Sequence, residues 1–160
     1  MNQNIKPLRT AGILIGVGMG GFVDGILLHQ ILQVHNMLSN KYFPDTLVNE
    51  QINMFWDGIF HAFTWVVTAI GIRKLWKVAQ SREIILQTNI FVGSLFLGWG
   101  LFNLIEGIID HQILGLHHVI QRAAPTPQLI WDLAFLVLGG VGMIALGLWQ
   151  IKKGRRLLAM

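Results

Sequence analysis

The chain has 160 residues, about the length of one domain; 53% are hydrophobic, only 12% are charged, and the mean hydropathy is +0.56. A soluble domain carries about twice that charged fraction, which argues against a water-soluble class. Cysteine is absent, which removes disulfides and thiolate ligands, and the net charge of +4 lies outside the apolar runs, so it reports topology and not a nucleic-acid surface.

No Lys or Arg falls between Arg9 and Lys41, Lys41 and Arg73, Arg82 and Arg122, or Arg122 and Lys152. Each gap holds an apolar segment long enough to span a bilayer, which takes roughly 20 helical residues. The fold class expected is all-α: an integral membrane four-helix bundle forming one membrane domain over residues 1–160. Span one is expected at about 11–35. Its small-residue series Gly12, Gly16, Gly20 lets another helix, or a second copy of the chain, approach closely. Residues 16–21 also match G-x-G-x-x-G, but inside a membrane helix that pattern cannot cradle a dinucleotide. Asp24 and His29 within the segment, and no small-residue cleavage site after it, argue against a cleaved signal peptide.

A loop over 36–52 precedes span two at about 53–72, which opens MFWDGIFH. Arg73, Lys74, Lys77 and Arg82 make a basic connection to span three at about 85–114. A loop over 115–128 leads to span four at about 129–151 and a basic tail. Ten of the twelve basic residues fall at the N-terminus, in the middle connection or in the tail. The positive-inside rule then makes both termini cytoplasmic and turns the other two loops outward, in a multi-pass inner-membrane protein.

The polar content of the spans occurs twice. GFVDGILLHQILQVHN over 21–36 aligns without a gap with NLIEGIIDHQILGLHH over 103–118. Asp24 faces Glu106, His29 faces His111, and His35 faces His117. Gly16 and Gly18 match Gly98 and Gly100, and Trp56-Asp57 matches Trp131-Asp132. The expected unit is a helical hairpin, repeated over 11–72 and 93–151, with a pseudo-twofold axis along the membrane normal.

In that topology all six histidines gather near the outer face. A carboxylate in a span costs several kcal/mol, on the order of the figure for other intramembrane charges, unless it is paired, neutralised or wet. His with Asp or Glu is a donor set for Zn, Fe, Mn or Cu. The candidate metal ligands are therefore Asp24, His29, His35, Asp57, His61, Glu106, His111 and His117. Asp57 and His61 share a helix face. Asp24 and His35 share a face but stand about 16 Å apart in height on an ideal helix, and His29 lies about 140° round from Asp24. One ion therefore cannot take the whole set unless the helix ends unwind, which Gly25, Gly107 and Gly115 make possible. Two related sites, or one site plus a proton or ligand path, fit better. The plainer alternative is that these groups only hydrogen-bond across helices and fix the bundle. Singly, His118 reads as a loop residue, Asp132 as a helix cap, Trp56 and Trp131 as interfacial anchors, and Met37 and Met54 as packing. Haem b held by His29 and His111 is a second cofactor reading. An ion or proton transporter is a third function class, weakened because no charged residue marks the inner halves of spans one and three. No Ser or Cys nucleophile accompanies the cluster.

The stretches GFVDGILLHQILQVHNM, FWDGIFHAFTW, GLFNLIEGIIDHQILGLHHV and WDLAFLVLG resemble a family of bacterial four-helix membrane proteins described as domain of unknown function 2243. The resemblance implies no activity. Some relatives are fused to a copper-associated cytochrome oxidase assembly module, which implies copper handling and respiratory oxidase assembly proteins as partners.

Overall fold

The computed structural model describes residues 4–81 and 84–160, so Arg82 of the basic connection lies outside the described residues. Four helices account for most of them: α1 Lys6–Ile31, α2 Leu47–Gln80, α3 Thr88–Ile113 and α4 Pro125–Ala159. Each is long and apolar enough to cross a membrane. Their starts follow local chemistry. Pro7 and Pro125 stand in the first turns of α1 and α4, where a missing N–H costs nothing. Thr46 caps α2 by accepting from the Asn49 amide, and Gln87 does the same for Ile90 at α3.

The helices differ from the sequence expectation at their ends. α2 begins at Leu47 instead of about 53 and continues to Gln80, so Arg73, Lys74 and Lys77 ride on its last turns. α4 begins at Pro125 and carries the basic tail as helix to Ala159. At 34 and 35 residues these two helices are about 50 Å long, against a hydrocarbon thickness of about 30 Å, so their basic ends project beyond it.

α1 and α3 form the central pair; α2 packs on α1 and α4 on α3. The α1–α3 crossing is made at two glycines. A Cβ on Gly16 would stand 2.1 Å from the Leu95 carbonyl oxygen, and one on Gly98 would stand 2.1 Å from that of Ile13. Only a hydrogen fits, so backbone meets backbone. A small apolar core of Leu8, Val78 and Ile90 closes the end away from the histidines. The faces of α2 and α4 turned from the core expose Phe63, Trp65, Val137 and Leu138 among many large apolar side chains. Exposed apolar surface on that scale needs a lipid solvent.

The feature that positions the site is a change of helical pitch. α1 is α-helical to Phe22 and π-helical over Val23–Ile31. α3 is α-helical to Glu106 and π-helical over Gly107–Ile113. Both then end in a left-handed residue at the aligned place, Gln33 (φ 50°) and Gly115 (φ 54°). α4 widens in the same manner over Phe135–Gly142.

Candidate metal centre

A π-turn is bonded i to i+5, so residues five apart come to nearly one face. Asp24 and His29 are five apart, as are Glu106 and His111. His29 Nε2 lies 3.1 Å from Asp24 Oδ2, and His111 Nε2 lies 2.9 Å from Glu106 Oε1. The 140° separation expected for an α-helix is thus removed by the pitch.

The expected 16 Å between Asp24 and His35 is removed as well. The helix stops at Ile31, the left-handed residue reverses the chain, and His35 folds back from the loop over its own helix end. His35 Nε2 reaches 3.7 Å from Asp24 Oδ1, and His117 Nε2 reaches 3.0 Å from Glu106 Oε1. His35 and His117 stack face to face, ring centres 4.5 Å apart at 5°. His29 and His111 flank the stack, with His29 4.6 Å from His35 and His111 4.7 Å from His117.

Behind each imidazole stands an acceptor. Asp57 Oδ1 accepts from His29 Nδ1 at 2.9 Å. The Val119 carbonyl accepts from His35 Nδ1 at 2.9 Å, and the Met37 carbonyl from His117 Nδ1 at 3.1 Å. Asp132 Oδ1 stands 3.5 Å from His111 Nδ1. Each loop histidine therefore holds the opposite loop's backbone. Two of the carboxylates also fix those loops. Asp57 accepts from the Met37 amide (2.9 Å) and Asn36 Nδ2 (3.0 Å); Asp132 accepts from the Val119 amide (2.9 Å) and His118 Nδ1 (2.6 Å).

This arrangement leaves nitrogens without partners. His29 Nε2 and His111 Nε2 lie close to carboxylate oxygens but out of line for a hydrogen bond, and His35 Nε2, His61 Nε2, His111 Nδ1 and Glu106 Oε2 are likewise buried without one. Asp24, Asp57, Glu106 and Asp132 are 1–7% exposed, and among the described residues their ion pairs are all with histidines. Four buried carboxylates with no Lys or Arg among them need positive charge from elsewhere. Carboxylates and carbonyls only accept, so most of these rings face acceptors on both nitrogens. The loop histidine His117 lies below the usual histidine range, because burial disfavours its charged form against the pull of Glu106. Two donor sets have metal-like spacing, His29 with His35 and His117, and Glu106 with His111 and His117; within each, the donor atoms lie within 4.8 Å of one another.

Of the eight sequence candidates, Asp24, His29, His35, Glu106, His111 and His117 converge, and Asp57 stands behind His29. His61 is set apart. Its Nδ1 donates to the Asp57 carbonyl at 2.8 Å on its own helix, and its ring lies beside Phe22 and Phe60. It packs against Gly25, as Leu136 packs against the aligned Gly107. Sharing a face with Asp57 is not enough, because His61 stands one turn, about 6 Å, further along α2, against Gly25 and Phe60.

Asp132 was underrated as a cap. α4 begins at Pro125, about two turns earlier and with no side-chain cap, and Asp132 instead holds its loop as Asp57 holds the other. The signal was present, since Trp131-Asp132 aligns with Trp56-Asp57. His118 is a loop residue as expected, bonded to Asp132. A cavity of about 490 Å³ opens beside the first half, lined among others by His29, His35, Asn53, Asp57 and Arg122.

The fold and cluster together define a four-span membrane protein with a buried histidine–carboxylate constellation. The chain belongs to the DUF2243 family of predicted membrane proteins, whose family model matches residues 11–154. Neither a curated protein nor a solved structure matches it.

Proposed function

We propose that the protein is an integral membrane metalloprotein whose histidine–carboxylate centre holds a transition metal near the outer face, for catalysis or metal handling. One observation carries the reading. Four buried Nε2 atoms, of His29, His35, His111 and His117, converge on the two buried carboxylates of Asp24 and Glu106 at 2.9–3.7 Å, those of His29, His35 and His111 without the alignment of a hydrogen bond. His29, His35 and His117 have Nδ1 anchored by a carboxylate or carbonyl, which presents Nε2 as a lone pair, the usual support for a metal-binding histidine; His111 Nδ1 only approaches Asp132, at 3.5 Å. Two donors about 2.1 Å from one ion stand roughly 3.0–3.4 Å apart, and the 2.9–3.7 Å contacts straddle that range. A donor set of N and O without sulfur suits Zn, Fe or Cu(II) better than Cu(I).

Both termini are read as cytoplasmic from the basic helix ends, which puts the cluster on the outer side of an inner membrane. The two hairpins are read as tandem repeats about an axis along the membrane normal. The reciprocal bonds His35 to Val119 and His117 to Met37 support that reading. Haem fits less well, because the stacked rings of His35 and His117 fill the slot a porphyrin would need between His29 and His111. Transport fits less well because no charged residue lies between Arg9 and Asp24 or between Thr88 and Ile105.

The test is elemental analysis and a visible spectrum of the full chain purified in detergent. The reading expects near-stoichiometric metal, no Soret band, and loss of metal in His29→Ala and His111→Ala. A well-folded wild type that takes up no Zn(II), Fe(II) or Cu(II) overturns it.

A further inference from the structure

We propose that the centre is dinuclear: one divalent ion held by Asp24, His29 and His35, and a second by Glu106, His111 and His117. This rests on the metal reading above and extends it to the number and division of the ions.

The first argument is reach. A single six-coordinate ion would gather six donors within about 4.2–4.4 Å of one another, twice an ordinary metal–ligand distance. Among the described residues no set larger than three meets even 4.8 Å. The two sets that do are His29, His35, His117 and Glu106, His111, His117. Their shared member, His117, makes the two places adjacent, and one Nε2 serves one ion. The 3.0 Å contact of His117 with Glu106 assigns it to the second place. Asp24 is the carboxylate that faces the first place; its two oxygens turn separately to His29 (3.1 Å) and His35 (3.7 Å), so it would reach an ion there through both oxygens, and it is not a member of the 4.8 Å set itself.

The second argument is charge. Asp24, Asp57, Glu106 and Asp132 are buried with neither Lys nor Arg paired to them among the described residues. Two divalent ions balance these four carboxylates, with the half-buried Asp110 standing beside Glu106 outside the count. One leaves two negative charges in a low-dielectric interior, a cost that falls on protonated imidazoles instead.

The third is the supply of donors. Each place receives two histidines and one carboxylate, with a carboxylate and a backbone carbonyl behind the two rings. Three protein donors are the number that leaves further positions open on each ion.

The full chain in detergent, stripped with chelator and reloaded with Zn(II), should bind two ions per chain. Mn(II) in its place should give the exchange-coupled spectrum of adjacent ions. The His29→Ala/His35→Ala variant should retain one ion, and so should Glu106→Gln/His111→Ala. If the wild type saturates at one ion and shows an isolated Mn(II) spectrum, the dinuclear inference is wrong and the metalloprotein reading survives. If it binds none, both fail. The wild-type stoichiometry and spectrum decide the matter even where a variant does not fold.

Discussion

Asp57→Asn separates an electrostatic role for this carboxylate from a merely structural one. The side chain keeps its size, and one oxygen can still accept from the Met37 amide, so loop and helix stay in place. What is lost is the negative charge 2.9 Å behind His29 Nδ1, which fixes the ring's tautomer and raises the basicity of its Nε2. Removing such a partner typically costs 10–100-fold in metal affinity, or about 1.4–2.8 kcal/mol at 1.4 kcal/mol per decade. The geometry also sets an order. Asp132 stands 3.5 Å from His111 Nδ1, so Asp132→Asn should fall near 10-fold and Asp57→Asn nearer 100-fold. The assay is Zn(II) competition against a chelator of known affinity, in detergent, with circular dichroism and gel filtration to show that the fold is kept. Equal affinities for both variants and wild type, or Asp132→Asn the weaker binder, would refute the reasoning.

Three further outcomes follow from the packing. Gly98→Ala drives a methyl carbon into the Ile13 carbonyl and should cost about 1–3 kcal/mol, read as a lower melting temperature in detergent together with weaker Zn(II) binding; an unchanged melting point would mean the α1–α3 crossing is looser than drawn. His61→Leu should leave metal stoichiometry unchanged, because Leu136 already fills the matching place against Gly107, and loss of an ion would return His61 to the centre. Gln33→Gly should raise stability by up to about 1 kcal/mol and Gly115→Ala lower it by about 1–2 kcal/mol, since both residues are left-handed; thermal melts showing the reverse order would contradict the turn geometry.

The membrane class was legible because charge is confined to the ends of apolar runs, a pattern that backbone hydrogen bonding in lipid enforces. The chemistry of the cluster was legible because Asp24, His29 and His35 recur as Glu106, His111 and His117. Its assembly was not. Reasoning on an ideal α-helix scattered Asp24, His29 and His35 over different faces and heights. The sequence carried the opposing hint, a carboxylate five residues before a histidine in both copies with a glycine directly after the acid, but pitch is decided by packing around the helix end and not by propensity alone. Asp57 and His61 failed in the other direction: correct α-helical spacing put them on one face, yet only Asp57 turned toward the cluster. Asp132 was misjudged because the absence of a histidine four residues on outweighed its match to Asp57. Helix ends were the least legible part, as α2 and α4 start before the apolar runs on polar turns and continue past them on basic ones.

The widened turns make this protein sensitive to counting. A π-turn holds one more residue than the α-turn it replaces, so it brings residues five apart to one face; inserting a further residue between Asp24 and His29 would set them six apart, a spacing that neither pitch returns to one face. The connection between Ser39 and Thr46 has no such constraint, and the matching stretch before α4 is several residues shorter without harm to the bonds at Asp57 and Asp132. Tolerance to insertion should therefore rise abruptly within about ten residues, from none between Asp24 and His29 to a few residues in the loop beyond Ser39.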